Sequence, residues 1–366
     1  MIKILLKSVC ILICANTICL GAMPLISMKP KACPPDQPDH SWIAHPEDWA
    51  FCAEKSSELM VSEGVILDRV GVPKVDVNVL IETAKKTNQT IAIEFSLFGH
   101  NKALEDKINQ GARAGKLVIE KLLKPIYQAG GEVGVLYLDG PDYRLLKGLH
   151  KFSENALNLE EYAQAMILFY QTIHKFDPMI KIGFIIDPKA WDFDKDTIGC
   201  HNVYTRKSGI FLEDNLNALY DAFAKSDEKI DFLCTDCPYW YYTQKQNLRD
   251  KRPVSQKENF LKLQSWCVER KMDFRIIVND HPKLKGEVDN FTTEQKAESN
   301  ESYQESCLNY INDLYADGIR PNWIVFNCWY KVPTKNSPET TSYTFFNTTK
   351  LCIELLESQY KKLDSE

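Results

Sequence analysis

Acidic residues stand at or near the ends of successive apolar segments in this sequence. They are Asp68, Glu94, Asp139, Asp187, Asp236 and Asp280. A single aspartate in such a position is often only a helix cap or a turn residue. Several carboxylates that converge on one cavity raise one another's pKa, so one can stay protonated while its neighbour is ionised. Glycoside hydrolysis requires such a pair of carboxyl groups.

Aromatic residues crowd the segments that follow these acids. Four consecutive aromatic residues, Tyr239–Tyr242, begin three positions after Asp236, and Trp329 and Tyr330 follow the last apolar segment. Flat rings can stack on the C–H faces of sugars, and the alternative is ordinary packing of long loops. We expect Trp240, Trp329 and Tyr330 to contact a sugar. Asp187 and Asp236 are expected to bind its hydroxyl groups.

The segments that must position these residues alternate between strand and helix. Strand candidates are GVILD, IAIEF, VGVLYLD, KIGFIID, IDFLCTD, FRIIVND and NWIVFNCWY, and LISMK before Trp42 is a weaker eighth candidate. Asn158 can cap one helix, and Ser255 with Glu258 forms the capping box of another. Repeated β-then-α order predicts a parallel sheet, and seven or eight repeats favour an α/β fold of the (β/α)8 TIM-like barrel type in a single domain. No G-x-G-x-x-G or P-loop follows the early strands, so we expect no cofactor.

The lengths of the connections predict which end of the barrel carries the site. Helix-to-strand connections are short, such as DPM at Asp177, whereas strand-to-helix connections are long, such as residues 140–158 and 188–209. In barrel enzymes the site lies at the C-terminal ends of the strands, where the long loops gather. We therefore expect one shared cavity there for the aspartates at positions 139, 187, 236 and 280.

The N-terminal segment is typical of a secretion signal. Lys3 and Lys7 give a basic start, an apolar stretch follows, and Gly21 and Ala22 are small enough for a cleavage site. A membrane anchor is the alternative, but the apolar stretch is shorter than the roughly 20 residues of a span and Asn16 interrupts it. We therefore predict a secreted or periplasmic protein. No later segment is long and apolar enough to cross a membrane.

Composition and domain organisation agree with a single exported domain. The chain has 366 residues, 44% of them hydrophobic, and a net charge of −6 without a run of lysine or arginine. This composition excludes general disorder and gives no sign of a nucleic-acid partner. We predict a signal peptide at 1–22, a proline-rich lead-in at 23–41 and the barrel domain at 42–366.

Cysteine and histidine spacing gives little support for a metal site. Nine of the twelve cysteines follow the predicted signal, an odd number, so at least one thiol is unpaired within the mature chain. Cys234 and Cys237 form a C-x-x-C pair, but residues three apart on a strand point to opposite faces. We expect no metal. The alternative is a metal-dependent hydrolase that uses Asp68, Asp236, Asp280 and His281.

Four segments, in this order, resemble a group of secreted, TIM-barrel, glycosidase-like proteins that are mostly bacterial and largely without assigned activity. The segments are LYLDGPDY, IGFIIDP, IDFLCTDCPYW and NWIVFNCWYKVPTKNSPETTSYTF, and the resemblance covers roughly residues 40 to 350. In that group one strand ends in D-x-P-x-Y, and the last strand leads into W-x-x-x-P-T-x-x-x-P-E-T. The matching residues here are Asp139, Pro141, Tyr143, Asp187, Pro188, Asp236, Trp240, Trp329, Pro333, Pro338 and Glu339. The resemblance implies a glycan partner and a site that includes Tyr143 and Glu339.

One position departs from that group. Between Asp139 and Pro141, where the group tends to have an acid, this chain has Gly140. If that acid performs the chemistry, this protein binds carbohydrate without cutting it. The D-x-x-D-x-D-x-E spacing of chitinase-like barrels is absent as well. A non-catalytic carbohydrate-binding or host-interaction protein is therefore the alternative to an enzyme.

The leading interpretation is a secreted glycoside hydrolase that acts on a glycan or oligosaccharide through paired carboxylates. With a hidden first strand, Asp139 ends the fourth strand and Asp280 the seventh, where many barrel glycosidases hold their catalytic acids. We expect Asp139 to donate the proton, with Arg144 close enough in sequence to orient it. Asp280 or Glu94 is expected to be the second carboxylate.

Overall fold

A computed structural model describes most of the chain beyond the predicted signal. The described residues are 23–31, 34–37, 41–67, 75–96, 107–149, 156–280, 291–328 and 332–363. Eight parallel strands form a closed barrel in which each strand pairs with the next in sequence and the last pairs with the first. The strands are β1 Leu25–Lys29, β2 Glu58–Ser62, β3 Thr90–Phe95, β4 Val135–Asp139, β5 Lys181–Ile186, β6 Phe232–Asp236, β7 Asp273–Val278 and β8 Trp323–Asn327. The (β/α)8 TIM-barrel prediction is confirmed.

Helices follow the strands and cover the outside of the barrel. They are α1 Ser41–Ala44, α2 Ala50–Lys55, α3 Glu63–Ile66, α4 Val77–Lys86, α5 Gln110–Val118, α6 Lys124–Gln128, α7 Pro141–Leu145, α8 Leu159–Phe176, α9 Val203–Ser208, α10 Leu212–Phe223, α11 Tyr239–Tyr242, α12 Gln256–Glu269, α13 Thr293–Ala316 and α14 Phe345–Leu363. Short 3₁₀ turns occupy Pro46–Trp49 and Pro188–Ala190, and a π-helical turn, Ile119–Leu123, joins α5 to α6. Among the described residues, no helix has the length and apolar character needed to cross a membrane.

Helix starts follow the predicted capping pattern. The Asn158 side chain accepts a hydrogen bond from the Glu161 backbone N–H at 2.9 Å, and the Glu161 carboxylate accepts one from the Asn158 backbone N–H at 2.9 Å. The Ser255 hydroxyl accepts from the Glu258 backbone N–H at 3.2 Å, which is the serine half of the predicted capping box; the described contacts do not include the return bond from the Glu258 side chain. These bonds satisfy amide donors that have no partner inside the helix. Both helices therefore begin where the sequence indicated.

The predicted position of the second strand is wrong. GVILD was expected to be a strand, but β2 is formed by the preceding residues ELMVS, and Val65 and Ile66 are buried within the short helix α3. The apolar pattern misled because β2 carries Glu58 on its inward face, where an ion pair with Arg275 compensates the charge. Its predicted last residue, Asp68, lies outside the described residues. LISMK, in contrast, does form β1, so the barrel includes part of the segment assigned to the lead-in.

Side chains alternate between the inside of the barrel and the outer helices. Met60, Ala92, Tyr137 and Ile277 belong to the apolar cluster inside the barrel, and their neighbours along each strand belong to the larger cluster beneath the helices. Cys234 lies inside and Cys237 outside, which confirms that these two thiols occupy opposite faces. The cysteines in the described ranges are all buried and free of disulfide bonds.

Candidate active site

A layer of polar side chains closes the inside of the barrel at the C-terminal ends of the strands, which we call the mouth. Side chains alternate along each strand, so the residue two positions after the last inward residue of a strand also points inward. At the C-terminal end of each of the eight strands this residue is polar. These residues are Lys29, Ser62, Glu94, Asp139, Asp187, Asp236, Asn279 and Asn327. The predicted acids at 94, 139, 187 and 236 are therefore brought to one end of the barrel.

Glu94 is an acid of this layer whose pKa lies near neutrality. It is buried, and its carboxylate forms an ion pair with the Lys29 ammonium. Burial raises the pKa of Glu94 to about 7, since the charges of Asp139 and Asp236 add to the effect of burial while Lys29 opposes it. A carboxyl group with this pKa holds a proton at neutral pH for part of the time, as a general acid must.

Asp139 is held by an arginine from its own loop. The Arg144 Nη2 donates to Asp139 Oδ2 at 3.0 Å, and Arg144 Nη1 donates to the backbone oxygens of Asp139 and, at 3.0 Å, Gly140. Gly140 has φ +49°, and a Cβ there would lie 3.1 Å from Arg144 Nη1. Glycine therefore suits this turn, and the sequence expectation that Arg144 orients Asp139 agrees with these contacts.

Lys189 links the next two acids of the layer. Its ammonium donates to Asp187 Oδ1 at 2.6 Å, lies 3.5 Å from the backbone oxygen of Asp236, and stands 5.3 Å from the centre of the Tyr241 ring. Although burial favours the neutral amine, the charges of Asp187 and Asp236 raise the pKa of Lys189. Burial raises the pKa of Asp236, and Asn279 Nδ2 donates to its Oδ1 at 3.0 Å.

Asp142 adds a carboxylate that the sequence analysis did not single out as a site residue. It is 4% exposed, and its Oδ1 accepts from the Tyr143 backbone N–H at 2.7 Å. Its Oδ2 is buried and has no hydrogen-bond partner among the described residues. Burial, reinforced by the charges of Asp187 and Asp139, raises the pKa of Asp142 to about 6. Asp142 lines a cavity of about 200 Å³ together with Asp139, Tyr143, Arg144, Asp187, Tyr204 and Asp236.

Aromatic rings flank this cavity and the neighbouring loop. Tyr143 is 42% exposed and stacks on Tyr204, with ring centres 5.4 Å apart and planes inclined by 21°. Trp240 is 44% exposed on α11. Tyr239 and Tyr242 belong instead to the packing against α13, because their hydroxyls donate to Asp313 and Asp317. Tyr143 and Trp240 are therefore the exposed rings that a ligand could reach among the aromatic residues of these two segments in the described part of the chain.

Asp280 does not join the mouth layer. It follows the inward Asn279, so alternation turns its side chain to the other face, and its Oδ1 accepts from the Trp240 backbone N–H at 2.9 Å. The charge of Asp280 acts on Tyr239 and Tyr310 outside the barrel. The expectation that Asp280 shares a cavity with Asp139 is therefore corrected.

Glu339 lies at the start of α2 and is not part of the mouth layer. Its two carboxylate oxygens accept from the backbone N–H groups of Phe51 at 3.0 Å and Cys52 at 3.1 Å, at the start of α2. This is helix capping, in which a carboxylate satisfies free amide donors, and it differs from the expected sugar contact. The remaining predicted residues, Trp329, Tyr330 and His281, lie outside the described residues, as do the predicted signal 1–22 and Asp68.

Several residues of the mouth were missed by sequence reasoning. Lys29, Lys189 and Asp142 were not recognised, although each stands at or within three residues of a strand end. Asn327 is fully buried, and neither polar atom of its side chain has a hydrogen-bond partner among the described residues. Counting two residues beyond the inward apolar Val325 would have found Asn327, whereas Lys29 follows the inward but polar Ser27. Within the described ranges, no group of three or more histidine, cysteine, aspartate or glutamate residues could hold a metal ion.

Comparison with known proteins adds support for the fold. A glucosidase from Croceicoccus marinus matches with a TM-score of 0.51 and 10% identity over 92% of this chain and 69% of its own. The catalytic domain of a beta-amylase from Paenibacillus polymyxa matches with a TM-score of 0.50 and 10% identity over 92% of this chain and 99% of its own. No protein-family model and no curated protein sequence matches this chain. At such low identity these likenesses concern the barrel fold.

Proposed function

We propose that this protein is a secreted glycoside hydrolase whose site lies at the mouth of the barrel. The observation that carries the proposal is Glu94, a buried carboxyl group with a pKa near 7 under the influence of the ionisable Asp139 and Asp236. One protonated and one ionised carboxyl group are the two participants that glycoside hydrolysis needs. Export rests on the sequence pattern of residues 1–22.

The roles of the two acids are exchanged relative to the sequence expectation. Glu94 donates the proton to the glycosidic oxygen, because it is the group that retains a proton near neutral pH. Asp139, whose charge the Arg144 guanidinium compensates, acts as the ionised partner on the anomeric carbon or on a water. A separation of about 5–5.5 Å between the reacting carboxyl groups corresponds to retention and about 6.5–9.5 Å to inversion.

The surrounding residues supply substrate binding. Asp187 and Asp236 accept hydrogen bonds from sugar hydroxyls, and the exposed rings of Tyr143 and Trp240 stack on sugar faces. The barrel likeness to a glucosidase and a beta-amylase is in line with this chemistry as an analogy by fold. The substrate partner is a glycan or oligosaccharide.

A non-catalytic carbohydrate-binding or host-interaction protein is the second candidate. It is favoured by the ionic partners of the mouth acids, since Glu94, Asp139 and Asp187 are each paired with a cation. Acids held in this way can bind sugar hydroxyls without transferring a proton. Glycine at position 140, where the resembling group tends to have an acid, points in the same direction.

A glycan library that reports both binding and release of reducing ends separates the two candidates. We expect release by the wild-type protein and a loss of roughly 10²-fold or more in Glu94→Gln, which cannot donate a proton at neutral pH. The matched control is Glu63→Gln, another buried acid, whose carboxylate accepts from the Ser96 hydroxyl at 2.9 Å. Its turnover should equal that of the wild type. Binding without release in the wild type would establish the second candidate.

A further inference from the structure

The cavity at the mouth contains more carboxylates than cations among the described residues. Two of its acids have cationic partners, Asp139 with Arg144 and Asp187 with Lys189. Asp236 accepts from the neutral Asn279 amide. Asp142 accepts only from a backbone N–H. Asp142 and Asp236 therefore form no ion pair within the described part of the chain, although the Lys189 charge acts on Asp236.

Asp142 is the cavity residue whose carboxylate lacks a hydrogen-bond donor at one oxygen. Its Oδ2 is buried without a hydrogen-bond partner among the described residues, although the residue is only 4% exposed. Burying a carboxylate oxygen without a donor is costly, and an ammonium or guanidinium group offsets that cost best. The Arg144 guanidinium, whose charge acts on Asp142, is already bound to the Asp139 carboxylate and to two backbone oxygens. The missing donor is therefore expected to come from a ligand.

The walls of the cavity define the shape of that ligand. Its volume of about 200 Å³ is below the roughly 300–1,000 Å³ of pockets that enclose drug-sized molecules, so it suits a single ring. Tyr143 and Tyr204, stacked with their planes inclined by 21°, supply flat aromatic surface beside the acids. A cationic group on a ring that can lie against an aromatic face combines both features.

We propose that this cavity is a subsite for a sugar residue that carries a free ammonium group, which binds the Asp142 carboxylate at the cavity wall after that side chain turns its buried Oδ2 toward the cavity. The glycan is then one that contains unacetylated amino sugars, and acetylation of the nitrogen abolishes the preference. This inference rests on the proposed function for the location of the site. It adds the chemical class of the substrate, which the hydrolase proposal leaves open.

Calorimetric binding to the full-length Glu94→Gln protein tests the subsite without cleavage of the ligand. The probes are glucosamine and galactosamine oligosaccharides, their N-acetylated forms and a glucose oligosaccharide, all of equal length. A charge-assisted hydrogen bond should make one of the amino oligosaccharides bind at least about 10-fold more tightly than its acetylated form. Adding Asp142→Asn should remove most of that preference. The matched control is Asp221→Asn, an exposed acid on α10 that changes the net charge equally.

Each outcome of this experiment decides the proposal. Equal or weaker binding of both amino oligosaccharides overturns the ammonium subsite, and release of neutral sugars in the library then leaves the hydrolase proposal standing. Absence of sugar binding and of release defeats both proposals together. Binding of trilysine as tight as that of the amino oligosaccharide overturns the assignment to a sugar. The comparison of oligosaccharides leaves Asp142 unchanged, so it remains decisive even if Asp142→Asn fails to fold.

Discussion

Two charged clusters lie inside the same barrel, and they differ in what surrounds them. Near the N-terminal half of the barrel, Arg275 Nη1 donates to Glu58 Oε1 at 3.0 Å, and the Ser27 and Tyr137 hydroxyls donate to Glu58 Oε2 at 2.6 and 2.7 Å. The Arg275 guanidinium lies between the rings of Phe232 and Trp323, at 3.7 and 4.2 Å from their centres. We call these side chains the interior cluster.

The mouth has the same kinds of groups in a different setting. Its acids line a cavity, Asp139 and Asp187 are partly exposed, and Asp142 and Asn327 retain polar atoms without a partner among the described residues. In the interior cluster both carboxylate oxygens of Glu58 have donors. Buried charge alone therefore does not identify a site, since the interior cluster is the more deeply buried of the two. The mouth is distinguished by access and by a carboxylate oxygen without a donor, Asp142 Oδ2, whereas the atom without a partner in the interior cluster is a donor, Arg275 Nε.

The largest expected effect tests the structural role of the interior cluster. Glu58→Gln keeps the side-chain shape but removes the charge that compensates the buried Arg275. Breaking a buried ion pair at one partner costs roughly 3–5 kcal/mol, so the free energy of unfolding should fall by about that amount. Urea denaturation measures it. The matched control is Glu47→Gln, an exposed partner of Lys86, which should leave the unfolding free energy unchanged within error.

A loss below about 1 kcal/mol in Glu58→Gln would show that the interior cluster is not held by its charges. The distinction between a structural interior cluster and a functional mouth would then be wrong, because neutralising the interior acid would cost no more than neutralising an exposed acid. Equal losses in Glu58→Gln and Glu47→Gln would contradict it in the same way.

The second prediction concerns how Glu94 links stability to pH. Its pKa is raised from 4.5 when unfolded to about 7 when folded, so between these values the folded state holds a proton that the unfolded state has released. Stability from this group is fully present below pH 4.5 and is lost as the pH rises through 7. At about 1.4 kcal/mol per pKa unit, the loss is on the order of 3 kcal/mol.

Urea denaturation of the wild type and Glu94→Gln at several values between pH 4.5 and 8 isolates this contribution. The difference in unfolding free energy between the two proteins should shift against the wild type as the pH rises. A difference that stays constant across this range would mean that Glu94 titrates as an ordinary exposed glutamate, and the proton-donor role would lose its support.

The third prediction tests Asp139 as the ionised partner. Asp139→Asn keeps the shape of the side chain but cannot supply the negative charge, so turnover of a cleaved glycan should fall roughly 10²-fold or more. The unfolding free energy should fall by less than about 1 kcal/mol, because the pair with Arg144 is partly exposed. The matched control is Asp194→Asn, an acid of similar exposure paired with Lys262, which should retain full turnover. Full turnover in Asp139→Asn would remove Asp139 from the mechanism.

The fold could be predicted from sequence because its signal is local. Each strand, apart from β2, is an apolar run, and the order of strands and helices specifies a parallel barrel. β2 was misplaced because its inward Glu58 and Ser62 resemble surface residues until Arg275, 217 positions later, is known to lie beside Glu58. That ion pair forms only when the barrel closes, so the local sequence pattern around Glu58 does not indicate it.

The site was predictable where alternation along one strand decides it, and unpredictable where distant elements meet. Glu94, Asp139, Asp187 and Asp236 occupy inward positions, whereas a shift of one residue turns Asp280 outward. Lys29 reaches Glu94 from a strand 65 positions earlier, and Glu339 caps a helix 287 positions earlier. Such partners depend on how the chain closes on itself. The proposed exchange of roles between Glu94 and Asp139 rests on these partners, which the local sequence pattern does not contain.

The smallest expected effect concerns Trp240, which extends the mouth beyond the cavity. Its ring is 44% exposed and packs against Tyr241 with ring centres 4.6 Å apart, so truncation removes little buried surface and should not change the unfolding free energy measurably. Loss of one aromatic contact is worth about 0.5–1.5 kcal/mol, so Trp240→Ala should raise KM for a cleaved oligosaccharide roughly 2- to 12-fold. Because stacking holds the substrate equally before and during reaction, kcat should stay nearly constant. Trp240→Phe keeps a flat ring and should restore most of the affinity.

A lower kcat with unchanged KM in Trp240→Ala would contradict this prediction. The ring would then act on the reacting carboxyl groups, and Trp240 would belong with the acids of the mouth and not with a separate aromatic rim.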